Sequence, residues 1–481
     1  MKTRETRWLL ALVAVLGISF GANLSGAYGA PLYPTYPKYT KSVTLTWWAW
    51  IPQVEKNELI KRFTTRYPSV KIVDPQVGSG SVEYTKLATA IKAGSGAPDV
   101  AMVEFQEIPR FVAMNALLNI AKYADYVKPY YTPWTWQQVS QGSALYACPE
   151  DAEPMVWFYR TDLLRGYGLS IPKTWSQFAN EAAQFHTDAP GKYFSTFPLG
   201  AQMVALWWQA GARPFKKTAK GWEISLNSPK AKKITNYWGA LLKKGYIKWS
   251  IGFSPAWQND IAKGAYAALL GAPWYPNYVF RPFGKPGTNN WDAATPPQWS
   301  ANGTPANGNF GGSTAAVTVQ TKHPRAAAIF ASWLWTNPLG LQLLMKGGFA
   351  SDKYGVELPA YKQVIPPLVN KQPDAVYNAA ANEVDPSFEW SPWTDFVYGQ
   401  MTAEFAKAHE GQESWNQALD NIQKNTVAFA RASGYNVVEP AVNTGRIGNH
   451  SSSHSGVIVF VIVVLVLAGG VYLIRRSRSR A

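Results

Sequence analysis

The chain of 481 residues contains one cysteine, Cys148, and only five histidines. A single cysteine excludes an intrachain disulfide and any zinc site built on cysteines, so the core must stand on packing alone. Charged residues make up 16% of the chain, against roughly 25% in an average soluble protein. Disorder needs high charge and low hydrophobicity, whereas hydrophobic residues here reach 47%. Internal repeats and coiled-coil heptads are missing, and so are HExxH and phosphate-loop motifs. The G-x-S-x-G match at Gly17–Gly21 lies inside an N-terminal apolar run and is discounted as a nucleophile elbow. His450 and His454 are four apart in a serine-rich stretch without other ligands, so neither metal nor cofactor is expected.

What the chain does have is 38 glycines, 34 prolines and 22 tryptophans. That composition describes a loop-rich globular body with many flat apolar side chains. The net charge is +16, part of it in the two termini. The lysine pairs at 216/217, 232/233 and 243/244 are scattered instead of forming one basic stripe, so no nucleic-acid partner is expected.

Both ends carry membrane signals. Lys2, Arg4 and Arg7 precede an apolar run from Trp8 to Phe20 and small residues up to Ala30; residues 1–30 read as a secretory signal peptide. Gly456–Ile474 is an uncharged run followed by Arg475, Arg476, Arg478 and Arg480. As a helix it would cover about 28 Å, enough to cross a bilayer, with the basic tail 475–481 on the cytoplasmic side. The body is therefore expected outside the cell, held to the cytoplasmic membrane by residues 456–474 through a polar linker, 441–455. Two sequons, Asn302-Gly-Thr304 and Asn449-His-Ser451, agree with a surface location.

Between these ends the pattern becomes regular. Residues 31–40, with three prolines, read as an extended leader. A strand at 43–50, a helical stripe at 53–67, a strand at 70–73, a second stripe at 84–94 and a strand at 100–105 form a β-α-β-α-β unit, hence a parallel sheet covered by helices. Further helices are expected after Thr174-Trp-Ser-Gln177, which has capping-box spacing, and after Ser228-Pro229. Two more are expected at 324–337 and 415–433. Residues 276–312, rich in Pro, Asn and Gly, read as a long surface loop.

The order of these pieces resembles the type 1 extracellular solute-binding proteins of ABC transporters, the maltose-binding-protein-like sugar receptors. The resemblance is carried by Val43-Thr-Leu-Thr-Trp-Trp-Ala-Trp50, by Lys86-Leu-Ala-Thr-Ala-Ile-Lys-Ala-Gly-Ser-Gly-Ala-Pro-Asp-Val100 and by Tyr146-Ala-Cys-Pro149 with Val156-Trp-Phe-Tyr-Arg-Thr-Asp-Leu-Leu164. Ala267-Ala-Leu-Leu-Gly-Ala-Pro-Trp274 and Gly311-Gly-Ser-Thr-Ala-Ala-Val317 continue it, so that it spans 43–433. It implies an α/β, two-lobed periplasmic-binding-protein-like (type II) fold with a hinge between lobes, besides the C-terminal transmembrane helix. Lobe 1 would hold 41–150 and 313–355, lobe 2 151–312 and 356–440. The implied function is capture of a carbohydrate, an oligosaccharide in first place, by hinge closure. The monomeric receptor would deliver it to permease subunits driven by a cytoplasmic ATPase, with no catalysis. A membrane-anchored glycoside hydrolase and a receptor for a non-sugar solute such as a peptide are the alternatives.

A sugar shows apolar C–H faces and hydroxyls all round, so its receptor needs aromatic platforms and planar polar groups. By position, Trp50 and Trp274 are the candidate platforms, while Trp47 and Trp48 read as core. Glu104 and Gln106 stand at the end of the third strand, where open α/β sheets present ligands. Glu153 falls where the family resemblance implies a sugar-binding glutamate. Trp390 and Trp393 could add another platform, with Tyr398 as their rival. Gly311 and Gly312, together with Ala147–Glu153, are candidate hinge residues at the site.

Overall fold

The computed structural model describes residues 33–284, 290–346, 358–361 and 372–438. The proposed signal peptide and the 456–474 run lie outside them. Among the described residues no helix is long and apolar enough to cross a membrane.

The first lobe is built on the predicted unit: β1 Val43–Trp48, α1 Gln53–Arg66, β2 Val70–Val73, α2 Ser81–Lys92 and β3 Val100–Glu104. β1 pairs in parallel with β2 (Val43 opposite Val70) and with β3 (Trp47 opposite Val100). Leu59, Phe63, Tyr84 and Leu87 bury the apolar stripes of the helices against this sheet. Trp47 and Trp48 are buried as expected, and Trp47 meets Phe330 edge-on. Beyond β3 the chain runs through a 3-10 turn, Phe105–Glu107, into α3 Ile108–Ala113. The leader lies along the same lobe: Tyr36 is buried and its hydroxyl is 2.9 Å from that of Thr336.

β4 Ala147–Pro149 and β5 Asp151–Ala152 then lead out of this lobe. The second lobe opens with β6 Val156–Arg160 and α4 Trp175–Asp188. Thr174 caps α4 through the full capping box, accepting from Gln177 N at 3.2 Å. There follow β7 Ser195–Thr196, α5 Ala201–Gln209, the hairpin β8 Phe215–Thr218 and β9 Gly221–Ile224, and α6 Pro229–Lys243, capped by Ser228. β10 Ile247–Lys248 pairs in parallel with β7, and β11 Ala268–Gly271 is antiparallel to β6.

The expected surface loop 276–312 is corrected at this point. It contains helical turns over 276–283 and a strand, β12 Trp291–Ala294, that pairs with β6. Val279, Phe280 and Trp291 are buried, and the Phe280 and Trp291 rings stack at 4.2 Å. Local glycine and proline content concealed a strand whose register is set by its partner.

β13 Ser313–Val317 returns to the first sheet and lies antiparallel between β3 and β4, giving the order β2-β1-β3-β13-β4. α7 Pro324–Leu334 packs over it. Finally α8 Thr394–His409 and α9 Trp415–Ala432 pack on α6, and β14 Val437–Val438 extends the β8–β9 sheet. Ser414 caps α9, and Gly434 follows it at φ +86°.

The two lobes are thus joined where β4–β5 leave the first sheet and where β13 re-enters it. Gly312 has φ +103° at that re-entry, and a Cβ there would lie 2.3 Å from the buried Phe105 ring. Gly312→Ala is therefore expected to cost about 2–4 kcal/mol, combining backbone strain and overpacking. Denaturant unfolding of the variant would measure it; an unchanged midpoint would contradict the assignment.

Candidate functional site

β1 and β3 are parallel neighbours, so their carboxyl ends emerge at the same edge of the sheet. Trp50 follows β1 there, half-buried, its ring edge-on to Tyr84 at 5.8 Å. The Tyr84 hydroxyl donates to Glu104 Oε2 at 2.8 Å and accepts from Glu104 N at 3.1 Å. Burial pushes the Glu104 carboxyl up, opposed by hydrogen bonds from Tyr84 and Gln106. Trp50, Glu104 and Gln106 are thereby brought together with Tyr84, a residue that the sequence reading had treated only as part of a helical stripe.

The second lobe faces this group through the first turns of α8. Arg110 Nη1 lies 3.0 Å from Glu107 Oε2 on its own lobe and 3.0 Å from Asp395 Oδ2 on α8. Burial, then Asp395, drive the Glu107 carboxyl well above its ordinary range. Tyr398, one turn along α8, has a buried hydroxyl without a hydrogen-bond partner among the described residues. It stands in the field of Asp395, Glu104 and Glu107. Of the rival platforms it is Tyr398, not Trp393, that α8 turns toward Glu104. Trp393 is 2% exposed and enclosed by Phe215, Trp222 and Tyr435. A ligand could reach its ring only by displacing them. Trp390 is likewise buried but lines a separate cavity with Phe388.

A third group sits at the chain crossings. Asp151 Oδ1 accepts from Ser313 N at 2.5 Å, tying the outgoing strand to the returning one. The Asp151 and Glu153 side chains are hydrogen-bonded to each other, and burial raises Asp151 to about 7. Glu153 Oε2 accepts from Trp274 N at 3.3 Å, and Trp274 Nε1 donates to Phe310 O at 3.4 Å. Gly311, at φ +121°, leaves space beside Trp274 and Glu153. The Trp274 ring is half-buried and extended by Phe253, 49% exposed and stacked at 5.9 Å. Phe253 was not foreseen; its φ of +61°, which a bulky residue rarely adopts, has no sequence signal.

Both lobes and the crossings therefore contribute aromatic faces beside carboxyl and amide groups, a set suited to hydroxyl-rich ligands. Among the described residues no cluster of His, Cys, Asp and Glu could hold a metal ion.

Comparison with known proteins agrees with this fold. Residues 48–338 match the family model described as bacterial extracellular solute-binding protein. A galacto-N-biose/lacto-N-biose I-binding protein of an ABC transporter from Bifidobacterium longum, solved with lacto-N-biose, superposes with a TM-score of 0.72 at 22% identity. The match covers 83% of this chain and 100% of that one. The binding protein of Bifidobacterium animalis subsp. lactis Bl-04, in complex with β-1,6-galactobiose, gives 0.69 at 23% identity over 82% and 100%. The sugar-binding protein MalE from Xanthomonas citri gives 0.68 at 20% over 82% and 98%. At these identities the likeness is one of fold. Among curated protein sequences no match is found.

The buried carboxyls make stability depend on pH. Asp151 titrates near 3.8 when exposed and about 7 in the fold, and burial likewise raises Glu83 to about 8 and Glu383 to about 7. A folded-state pKa above the unfolded one means the fold binds the proton more tightly. That contribution is complete below about pH 4 and is lost as pH rises through 7 to 8. Asp162, held low by its Arg160 hydrogen bond, acts oppositely but only below pH 4. The melting temperature should fall steadily between pH 5 and pH 8, and Asp151→Asn should flatten part of that slope. A flat wild-type profile would refute the raised pKa that burial gives these carboxyls.

Proposed function

The chain belongs to the bacterial extracellular solute-binding proteins, and from that premise we propose that it captures a carbohydrate, an oligosaccharide in first place, between its lobes. The observation that carries this reading is the pairing of aromatic faces with planar polar groups on each wall. Trp50, Tyr84, Glu104 and Gln106 supply one wall. Tyr398 supplies the other, and Trp274, held from behind by the fully buried Glu153, supplies the crossings. An aromatic ring meets the C–H face of a sugar, while carboxylate and amide groups take its hydroxyls two at a time. The disaccharides carried by two of the structural relatives support the same ligand class.

Ligand that touches both walls favours the closed arrangement by its differential affinity for it. Rotation about residues 147–153 and 310–314 would open the cleft, a hinge motion of known type. Delivery to a permease driven by a cytoplasmic ATPase completes the proposal, with the body kept at the cell surface by residues 456–474. The reading is of a receptor and not of an enzyme.

Thermal-shift screening of residues 31–448 against mono- and oligosaccharides and peptides tests this, since a ligand of the folded state raises its melting point. A saccharide hit with the sugar recovered intact is expected. Sugar turnover would replace the receptor by a hydrolase, and a peptide-only hit would overturn the ligand class. Trp274→Ala should weaken saccharide binding at least tenfold with little change in the ligand-free melting point. Trp393→Ala should do the reverse, lowering the melting point through loss of a packed core ring.

A further inference from the structure

Tyr84 touches two groups of the first-lobe wall while being itself only 3% exposed. Its ring is edge-on to Trp50 at 5.8 Å and to the buried Phe111 of α3 at 5.9 Å. Packing against Phe111 therefore fixes the ring, whatever its hydroxyl does.

The hydroxyl is engaged twice by one residue. It accepts from Glu104 N at 3.1 Å, so its single proton goes to Glu104 Oε2, 2.8 Å away. The backbone and the carboxyl of Glu104 thus meet on one oxygen, which holds the side chain to one orientation relative to its own strand. Gln106 holds the same carboxyl by a further hydrogen bond. Burial, then the Glu104 and Glu107 charges, raises the Tyr84 phenol well above its ordinary range, so the donor is permanent.

This clamp bears on recognition. Glu104 keeps partial exposure at the carboxyl end of β3, beside the end of β1 that carries Trp50. Hydrogen bonds weaken steeply as they bend. A carboxylate free to swing follows an equatorial or an axial hydroxyl alike, whereas a clamped one favours the configuration it points at. Apolar contact with Trp50 is non-directional, so direction has to come from the held carboxylate. We propose that Tyr84 is a specificity-determining residue of the cleft, its hydroxyl clamping the Glu104 carboxylate so that saccharides are separated by the configuration of a single hydroxyl. It acts on the ligand through Glu104, as a positioning residue. The proposal rests on the carbohydrate reading of the cleft.

Calorimetric titration tests it. Each panel saccharide that binds wild type is titrated beside its epimers at single hydroxyls; cellobiose with lactose and isomaltose with melibiose are two such pairs. Wild type is expected to separate the binder from at least one epimer tenfold or more. Tyr84→Phe keeps the ring against Trp50 and removes only the clamp. It should weaken the preferred epimer at least tenfold and bring the pair within threefold. That ratio is taken within one variant, so a smaller folded fraction does not disturb it. Glu104→Ala, which leaves Tyr84 intact, should abolish the same ratio, and adding Tyr84→Phe to it should change nothing further. An unchanged ratio in Tyr84→Phe, whether both affinities fall together or neither does, would overturn the proposal. So would a ratio that survives Glu104→Ala, additive losses in the double variant, or a wild type that binds every epimer alike. In each of these cases the cleft reading stands. Absence of any saccharide binding to wild type would overturn the cleft reading itself, and this proposal with it.

Discussion

The structure depends on one contact at the crossings, the hydrogen bond from Ser313 N to the Asp151 carboxylate. Asp151 belongs to the strand leaving the first lobe and Ser313 to the strand returning to it. The bond fixes the two crossings side by side, with the buried Glu153 carboxyl beside Asp151. The same few residues also seat Trp274, through Glu153 Oε2 and the Phe310 carbonyl. Hinge geometry and the position of one ligand platform are therefore set by the same hydrogen bonds. A change of inter-lobe angle must move Trp274 with it.

Tryptophan chemistry qualifies one argument from composition. An indole N–H is expected to find a partner when buried, so 22 tryptophans in one chain suggest that some serve a ligand. Most described ones instead fill cores. Trp175 donates to Gln209, Trp207 to Thr235 and Trp208 to the Asp385 carbonyl. Trp157 and Trp238 are fully buried with no such partner. Packing among rings offsets that cost: Trp238 meets Trp175, Phe178 and Tyr237. In a chain with few charges and no disulfide, aromatic interlocking replaces other means of holding the core. Tryptophan number alone was thus a weak guide to the site.

Local signals were legible wherever local physics decides structure. The parallel unit from 43 to 104 followed from periodicity, and the caps Thr174 and Ser228 from residue type. What escaped was non-local. β12 forms because β6 offers it an open edge, and residues 291–294 carry no strand run long enough to announce this. Placement of Tyr398 toward Glu104, with Trp393 turned into the core, depends on how α8 is rotated against α6 and the first lobe. Tyr84 was read correctly as helical, but its hydroxyl reaches Glu104 only because α2 packs across β3. Trp50, Glu104 and Gln106 were legible as neighbours because parallel strands end at a common edge.

The cross-lobe contacts explain why ligand should govern closure. Arg110–Asp395 is an ion pair with side chains 31% and 47% exposed, and such pairs contribute only about 0–1 kcal/mol. The Gln138–Phe388 hydrogen bond adds a comparable amount, less the desolvation of the orphan Oε1. Neither is apolar burial on the scale of a stable interface, so in the absence of ligand the lobes are held together weakly. Moving a two-state equilibrium from 1:99 to 99:1 takes about 5.5 kcal/mol of differential affinity. A saccharide bound at micromolar affinity releases about 8 kcal/mol in all. If most of that comes from contacts made to both walls at once, filling the cleft suffices to close it, and emptying the cleft suffices to let it open.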